Sequence, residues 1–175
     1  DPIPVTRPEK IAVVGAGPGG LTAALELKKR GYAVTLFEEM AEAGGMLLWG
    51  IPAYRLPRDV LRRDIRDILD TGIDLRTRTR IGRDIPFATL AQDYEAIFIA
   101  IGAQKSAALG IPGERGVDGF KVATEFLRAF NLGQPESVGR RVAVIGGGNS
   151  AIDAARTSIR LGAEAVTIFY RRERK

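Results

Sequence analysis

Cysteine and histidine are both absent from this 175-residue sequence. The first absence excludes disulfides, thiolate metal sites and a CxxC redox pair within these residues. The second removes the usual general base. Aromatic residues are sparse, at 7%, and Trp49 is the single tryptophan. No stretch approaches the ~18 continuous apolar residues of a membrane helix, and no signal peptide opens the chain. A cytoplasmic protein with no membrane partner is therefore the expectation. The excess of base over acid is modest, 26 Lys and Arg against 21 Asp and Glu. The two signs alternate at Arg58-Asp59 and Arg62-Arg63-Asp64, the pattern of a solvated helix face, so no nucleic-acid partner is expected.

Glycine is plentiful. The chain holds 21, clustered at Gly15 to Gly20, Gly44 to Gly50 and Gly146 to Gly148. Such clusters mark backbone that turns sharply or approaches a ligand closely. Before the first cluster, Ile11 to Val14 is a wholly apolar run, read as a strand buried on both faces of a parallel sheet. Leu21 to Arg30 reads as a helix with Lys28, Lys29 and Arg30 in its last turn and Gly31 as its stop. Ala33 to Glu38 reads as the second strand of a βαβ unit. Gly44 to Leu56 reads as a loop, followed by a helix from Pro57 to about Asp70. Ile73 to Ile81 alternates as a strand with Arg76, Arg78 and Arg80 on one solvent-facing edge. Ala96 to Ile101 reads as a further buried strand, Leu109 to Gly119 as a connector and Val122 to Phe130 as a helix. The opening pattern then repeats about 131 residues on: strand Arg141 to Ile145, turn Gly146 to Gly148, helix Asn149 to Leu161, strand Val166 to Tyr170. The fold class expected is α/β with Rossmann-like parallel sheets.

Gly15, Gly17 and Gly20 fit G-x-G-x-x-G around Ala16, Pro18 and Gly19. The first glycine permits the turn, the second lets a pyrophosphate lie against bare backbone, and the third lets the helix pack close to the sheet. Glu38, 18 residues after Gly20, can accept hydrogen bonds from a ribose 2′-OH; Glu39 competes for that role but has the poorer spacing. The second turn, Gly146, Gly148 and Ala151 around Gly147, Asn149 and Ser150, is the G-x-G-x-x-A variant. Its second strand ends in Tyr170-Arg171-Arg172, where an acid would serve NAD. Arginine can hold the doubly charged 2′-phosphate of NADP in a forked, charge-assisted grip; a basic chain end is the alternative. Asp153 on the following helix reads as structural, paired with Arg156 three residues on.

The strings GAGPGGLTAALEL, FEEMAEAGGMLLWGIPAYRLP, AIGA, IPGE and VIGGGNSAIDAARTSIRLGAEAVTIFYRR resemble the glutamate synthase small (β) subunit. That group includes the flavin half of dihydropyrimidine dehydrogenase and the adrenodoxin-reductase-like flavoproteins. The resemblance implies an FAD-binding domain (first part, 11–118, after a linker at 1–10). It implies next the beginning of an inserted NADPH-binding domain (119–175). Residues 1–175 then read as a fragment whose open sheet edge invites self-association. Hydride would pass from NADPH to FAD and electrons onward to an iron–sulfur domain or the large glutamate synthase subunit. A non-catalytic dinucleotide-binding module is the alternative. By position, the resemblance assigns FAD to Gly15, Gly17, Pro18, Gly20 and Glu38, to Gly45, Leu47 and Arg55 of a covering loop, to Ile81 through its backbone, and to Ala100, Ile101 and Gly102. Ile101 stands where the family has threonine. NADPH falls to Gly146, Gly148, Asn149, Ser150, Arg171 and Arg172, with Trp49 either near the flavin or a buried aromatic. Such a reaction needs no general base from the protein, so the absence of His and Cys fits.

Overall fold

The computed structural model describes residues 1–112, 114 and 116–171. The chain divides into two compact units: one formed by Asp1–Leu48 and Leu56–Gln104, the other by Trp49–Arg55 and Lys105 onward.

In the first unit the elements follow in the order β1 (Lys10–Val14), α1 (Pro18–Lys29), β2 (Ala33–Phe37), α2 (Met46–Trp49, which runs out of the unit), α3 (Arg58–Leu69), β3 (Asp74–Arg76), α4 (Phe87–Asp93) and β4 (Ala96–Ile99). The strands form one parallel sheet in the order β3-β2-β1-β4. β1 is central, which explains its unbroken apolar run: Ile11 and Val13 face one layer, Ala12 and Val14 the other. Ala12, Phe37 and Leu90 pack as a buried cluster, with Val14, Ile81, Ile85, Tyr94 and Ile97 against them. The rings of Phe37 and Tyr94 meet edge to face at 5.9 Å. Each such large side chain, fully buried, contributes about 1.5–3 kcal/mol. The segment before β1 lies extended on this unit, with the Ile3 amide donating to Thr71 O at 2.9 Å and the Thr6 amide to Gly31 O at 2.9 Å.

The second unit contains α5 (Ala123–Asn131), β5 (Arg141–Ile145), α6 (Asn149–Arg160) and β6 (Ala165–Phe169). β5 and β6 pair in parallel from Arg141↔Ala165 to Ile145↔Phe169. Small residues let α6 sit close to the strands: Ala151 and Ala155 pack on Val144, with Val142 and Val166 alongside. Ala154 packs with Phe126 and Leu127 of α5. The stretch Trp49–Arg55 is bound here by side chains, Asn131 donating from Nδ2 to Trp49 O at 2.8 Å.

The structure departs from the sequence reading in several places. The strand expected over 73–81 shrinks to Asp74–Arg76, because Arg78 takes a left-handed φ of 54° that no continuous strand accommodates. Arg76, Arg78 and Arg80 are nonetheless all exposed to solvent, Arg76 paired with Asp74 and Arg80 approaching Glu39 at 3.7 Å. Ala96 to Ile101 is not a buried strand. β4 ends at Ile99 and borders the sheet, leaving Phe98, Ile99 and Ile101 about half exposed. The loop at 44–56 includes α2, and α4 was not anticipated. No helix of the described residues is long and apolar enough to cross a membrane.

The turn after Arg80 carries a prediction. Asp84 accepts from both Arg83 Nε and Nη2, at 2.8 Å each, and from the Arg80 amide at 2.8 Å. Those bonds, from Arg83 first and then from the Arg80 backbone, lower its pKa from 3.8 to about 2. A depressed carboxylate pKa stabilises the folded turn fully above the ordinary value and ceases to as pH falls through the folded one. An NMR titration of the Asp84 carboxyl should show its midpoint near 2, with the turn loosening between 3.8 and that point; a midpoint at 3.8 would contradict the bonded geometry.

Candidate dinucleotide-binding sites

The first site is built where β1 runs into α1. Gly15 has a φ of 103°, which favours glycine, and a Cβ there would strike the carbonyl of Ala100. Gly20 lies so close to the carbonyl of Gly15 that a Cβ would overlap it. Gly17 precedes α1 in extended conformation and Pro18 occupies the first turn. No side chain caps the helix, so no protein hydroxyl or carboxylate competes for its first amide groups. Open space stands beside the turn: a Cβ on Gly19 would meet nothing within 4 Å, and one on Gly17 only Gly45 Cα at 3.8 Å. An anion fits this combination of free amides, positive helix end and absent side chains.

Glu38 continues from β2 and is 6% exposed. Its Oε2 accepts from the Ala16 amide at 2.9 Å and its Oε1 from the Met40 amide at 2.8 Å. The carboxylate is thus fixed to the glycine turn, with one further lone pair on each oxygen. Glu39 is a surface residue near Arg80. The covering loop meets the turn directly, since the Gly44 amide donates to Ala16 O at 2.8 Å. Gly45, at φ 52°, leaves room for Gly17, against whose Cα a Cβ would sit at 2.7 Å. Leu47 lies on α2, its carbonyl accepting from Arg58 Nη1 at 3.2 Å.

The Ala100 amide donates to Val14 O at 2.8 Å, which brings Ala100 and the following Ile101 and Gly102 to the same end of the sheet. Ile101 is 60% exposed, and its carbonyl accepts from Gln104 Nε2 at 3.0 Å. The Ile81 side chain packs in the core cluster of Phe37, and its backbone bridges Ile85.

The second site repeats the construction. Gly146 turns with φ 126°, and its amide donates to Phe169 O at 2.9 Å, as that of Gly15 does to Phe37 O at 2.8 Å. Gly148 leads into α6 without a side-chain cap, and a Cβ on it would meet nothing within 4 Å. Asn149 and Ser150 begin the helix, both exposed. Arg171 is exposed just beyond β6, and Arg172 lies outside the described residues.

Asp153 corrects the sequence reading: its partner is Arg55, not Arg156. Arg55 Nη1 donates to Asp153 Oδ2 at 2.8 Å, the acid side chain 4% exposed and the arginine 35%. Tyr54 donates from its hydroxyl to Asp153 O at 3.2 Å. Its ring lies under the guanidinium groups of Arg156, at 4.6 Å, and Arg160, at 3.9 Å. The residues are 98 apart in sequence, so a helical i,i+3 rule could not find the pair. Trp49 is half-buried, and its Nε1 has no partner among the described residues.

Two open glycine turns, each at the head of a parallel βαβ unit, define a dinucleotide-binding protein of the two-nucleotide type. The chain belongs to the pyridine nucleotide-disulphide oxidoreductase family, a family that binds FAD and NADPH and whose profile matches residues 9–175. It is 48% identical over 172 residues to the NADP(+)-dependent formate dehydrogenase subunit beta of Moorella thermoacetica, across 97% of this chain and 24% of that one. It is 37% identical to the glutamate synthase [NADPH] small chain of Escherichia coli (strain K12), across 94% of this chain and 37% of that one. Mycobacterium tuberculosis FprA in complex with NADPH has the same fold, with a TM-score of 0.77 and 29% identity over 86% of this chain and 36% of that one. The chain thus spans about a quarter to two-fifths of the length of the curated relatives it matches.

Proposed function

We propose that the first turn holds FAD, the second NADPH, and that the chain serves a reductase passing electrons from NADPH to an iron–sulfur partner. The observation that carries this is the matched pair of open glycine turns, the first closed by a buried acid and the second ending in arginine. In this reading Gly15, Gly17, Pro18 and Gly20 bring the FAD pyrophosphate against the α1 amides, and Glu38 accepts from the adenosine ribose. Gly45 and Leu47 border that cofactor, while Arg55 belongs to the second unit, where it holds Asp153. Ala100, Ile101 and Gly102 line its far end, and the Ile81 backbone meets adenine. Gly146, Gly148, Asn149 and Ser150 receive the NADPH pyrophosphate, with Arg171 and Arg172 on the 2′-phosphate. The cofactors supply the redox chemistry, a hydride moving from nicotinamide to flavin. The protein binds and orients them and moves no proton of its own.

The final acceptor is a property of the partner. Relatives named for formate dehydrogenase and for glutamate synthase both match nearly this whole chain, the former at the higher identity. Glutamate formation is therefore one of the roles open to the working protein, and a partner subunit carrying iron–sulfur clusters is the common element we propose. The test is optical. The purified chain is mixed with FAD, filtered and given NADPH without oxygen. Retained flavin absorbance near ~450 nm that bleaches supports both sites. FAD recovered in the filtrate would favour a module that needs further chain or a partner to bind.

A further inference from the structure

The two glycine turns share one construction, and among their differences is a coupled pair where the end of the second strand meets the turn. The strand sequences AVTLFEE and AVTIFYR align, and the backbone confirms the alignment: Gly15 donates to Phe37 O where Gly146 donates to Phe169 O. Tyr170 therefore stands in the place of Glu38, and Gly147 in the place of Ala16. In the first unit the acid reaches back and accepts from the Ala16 amide at 2.9 Å. In the second the Tyr170 ring lies flat against Gly147: a Cβ added there would come within 2.6–2.8 Å of three ring carbons. Gly147 is thus glycine for the ring's sake, since the motif itself leaves that position free. The other part of the ring is open, Tyr170 being 53% exposed.

We propose that Gly147 and Tyr170 form one specificity-determining element of the second site; this rests on the reading of that site as the NADPH site. The ring fills the space a ribose-binding carboxylate would need, with an uncharged group. It removes the negative charge that would repel a 2′-phosphate, and it offers an aromatic surface to the adenine beside Arg171. Arg171 supplies attraction; Tyr170 supplies the absence of repulsion, and only with glycine at 147 can the ring take that position.

The test is calorimetric binding of NADP+ and NAD+ to the full chain and to its variants, each checked for folding by circular dichroism. Tyr170→Glu restores the acid and should lower the NADP+ over NAD+ preference by about 10-fold or more. Tyr170→Gln, of the same size but neutral, should weaken both nucleotides alike and keep the preference. Gly147→Ala should weaken both by about 10-fold, and Tyr170→Ala added to it should recover most of that loss. An unchanged preference in Tyr170→Glu, or a Gly147→Ala defect that Tyr170→Ala does not relieve, would overturn the proposal. A wild-type chain that binds neither nucleotide would overturn the assignment of the site itself, a distinguishable failure.

Discussion

Gly20→Ala should destabilise the first unit by about 3 kcal/mol, while Gly19→Ala, one residue earlier, should stabilise it by up to about 1 kcal/mol. Both residues lie in the first turn of α1, where alanine is the better helix former. At Gly19 that preference acts alone, since a Cβ would meet nothing within 4 Å. At Gly20 the Cβ would overlap the carbonyl of Gly15, and Ala100 Cβ stands 3.4 Å away. The obstacle is backbone, which cannot rotate aside, so α1 must lift from the sheet. The second unit carries Ala151 at the corresponding place and accommodates it, buried against Val144 and Ala155. Thermal unfolding of the two variants without added flavin checks the prediction. Melting shifts of the same sign would show that contact with Gly15 does not govern this turn.

Arg55→Ala should cost the second unit about 2–3 kcal/mol, below the full value for a buried pair because the arginine is partly exposed and water can enter. The acid it leaves behind is the reason. Asp153 Oδ2 would lose the guanidinium, and Oδ1 has no hydrogen-bond partner among the described residues. Asp153→Asn removes the charge and keeps the shape, so it should cost less, about 1 kcal/mol. Combining the two should be milder than Arg55→Ala alone, because no unpaired charge remains. Denaturant titration of the three variants decides the matter. A double variant weaker by the simple sum of the singles would mean that the 2.8 Å pair contributes nothing as a pair.

The parts of the fold legible in the sequence were those set by local pattern. β1, β2, β5 and β6 follow from apolar β-branched runs ended by glycine or charge, and α1 and α6 from the turns before them, each within a few residues. The glycine turns were legible because G-x-G-x-x-G fixes backbone rather than side-chain chemistry. What failed was set by neighbours. Alternation over 73–81 looked like a strand, but Arg78 turns left-handed where its amide donates to Met40 O at 2.9 Å. The run from Ala96 looked buried on both faces, yet an apolar run says nothing of how many strands flank it. α4 buries only Leu90, too faint a stripe to show periodicity. At the sites, the Glu38 position was legible from spacing. The contact of Tyr170 with Gly147 needed the two strand ends compared with each other, and the pairing of Asp153 with Arg55 needed the fold.

The docking of Trp49 has an optical consequence. The sequence offers four tyrosines, two in each unit, but one indole, and that indole belongs to the stretch that joins the second unit. Fluorescence excited at wavelengths tyrosine does not absorb therefore comes from the second unit alone, from the half-buried side chain of Trp49, whose backbone carbonyl accepts from Asn131. The molecule is in effect labelled on one side by nature: indole emission follows the unfolding of one unit, and circular dichroism averages over both.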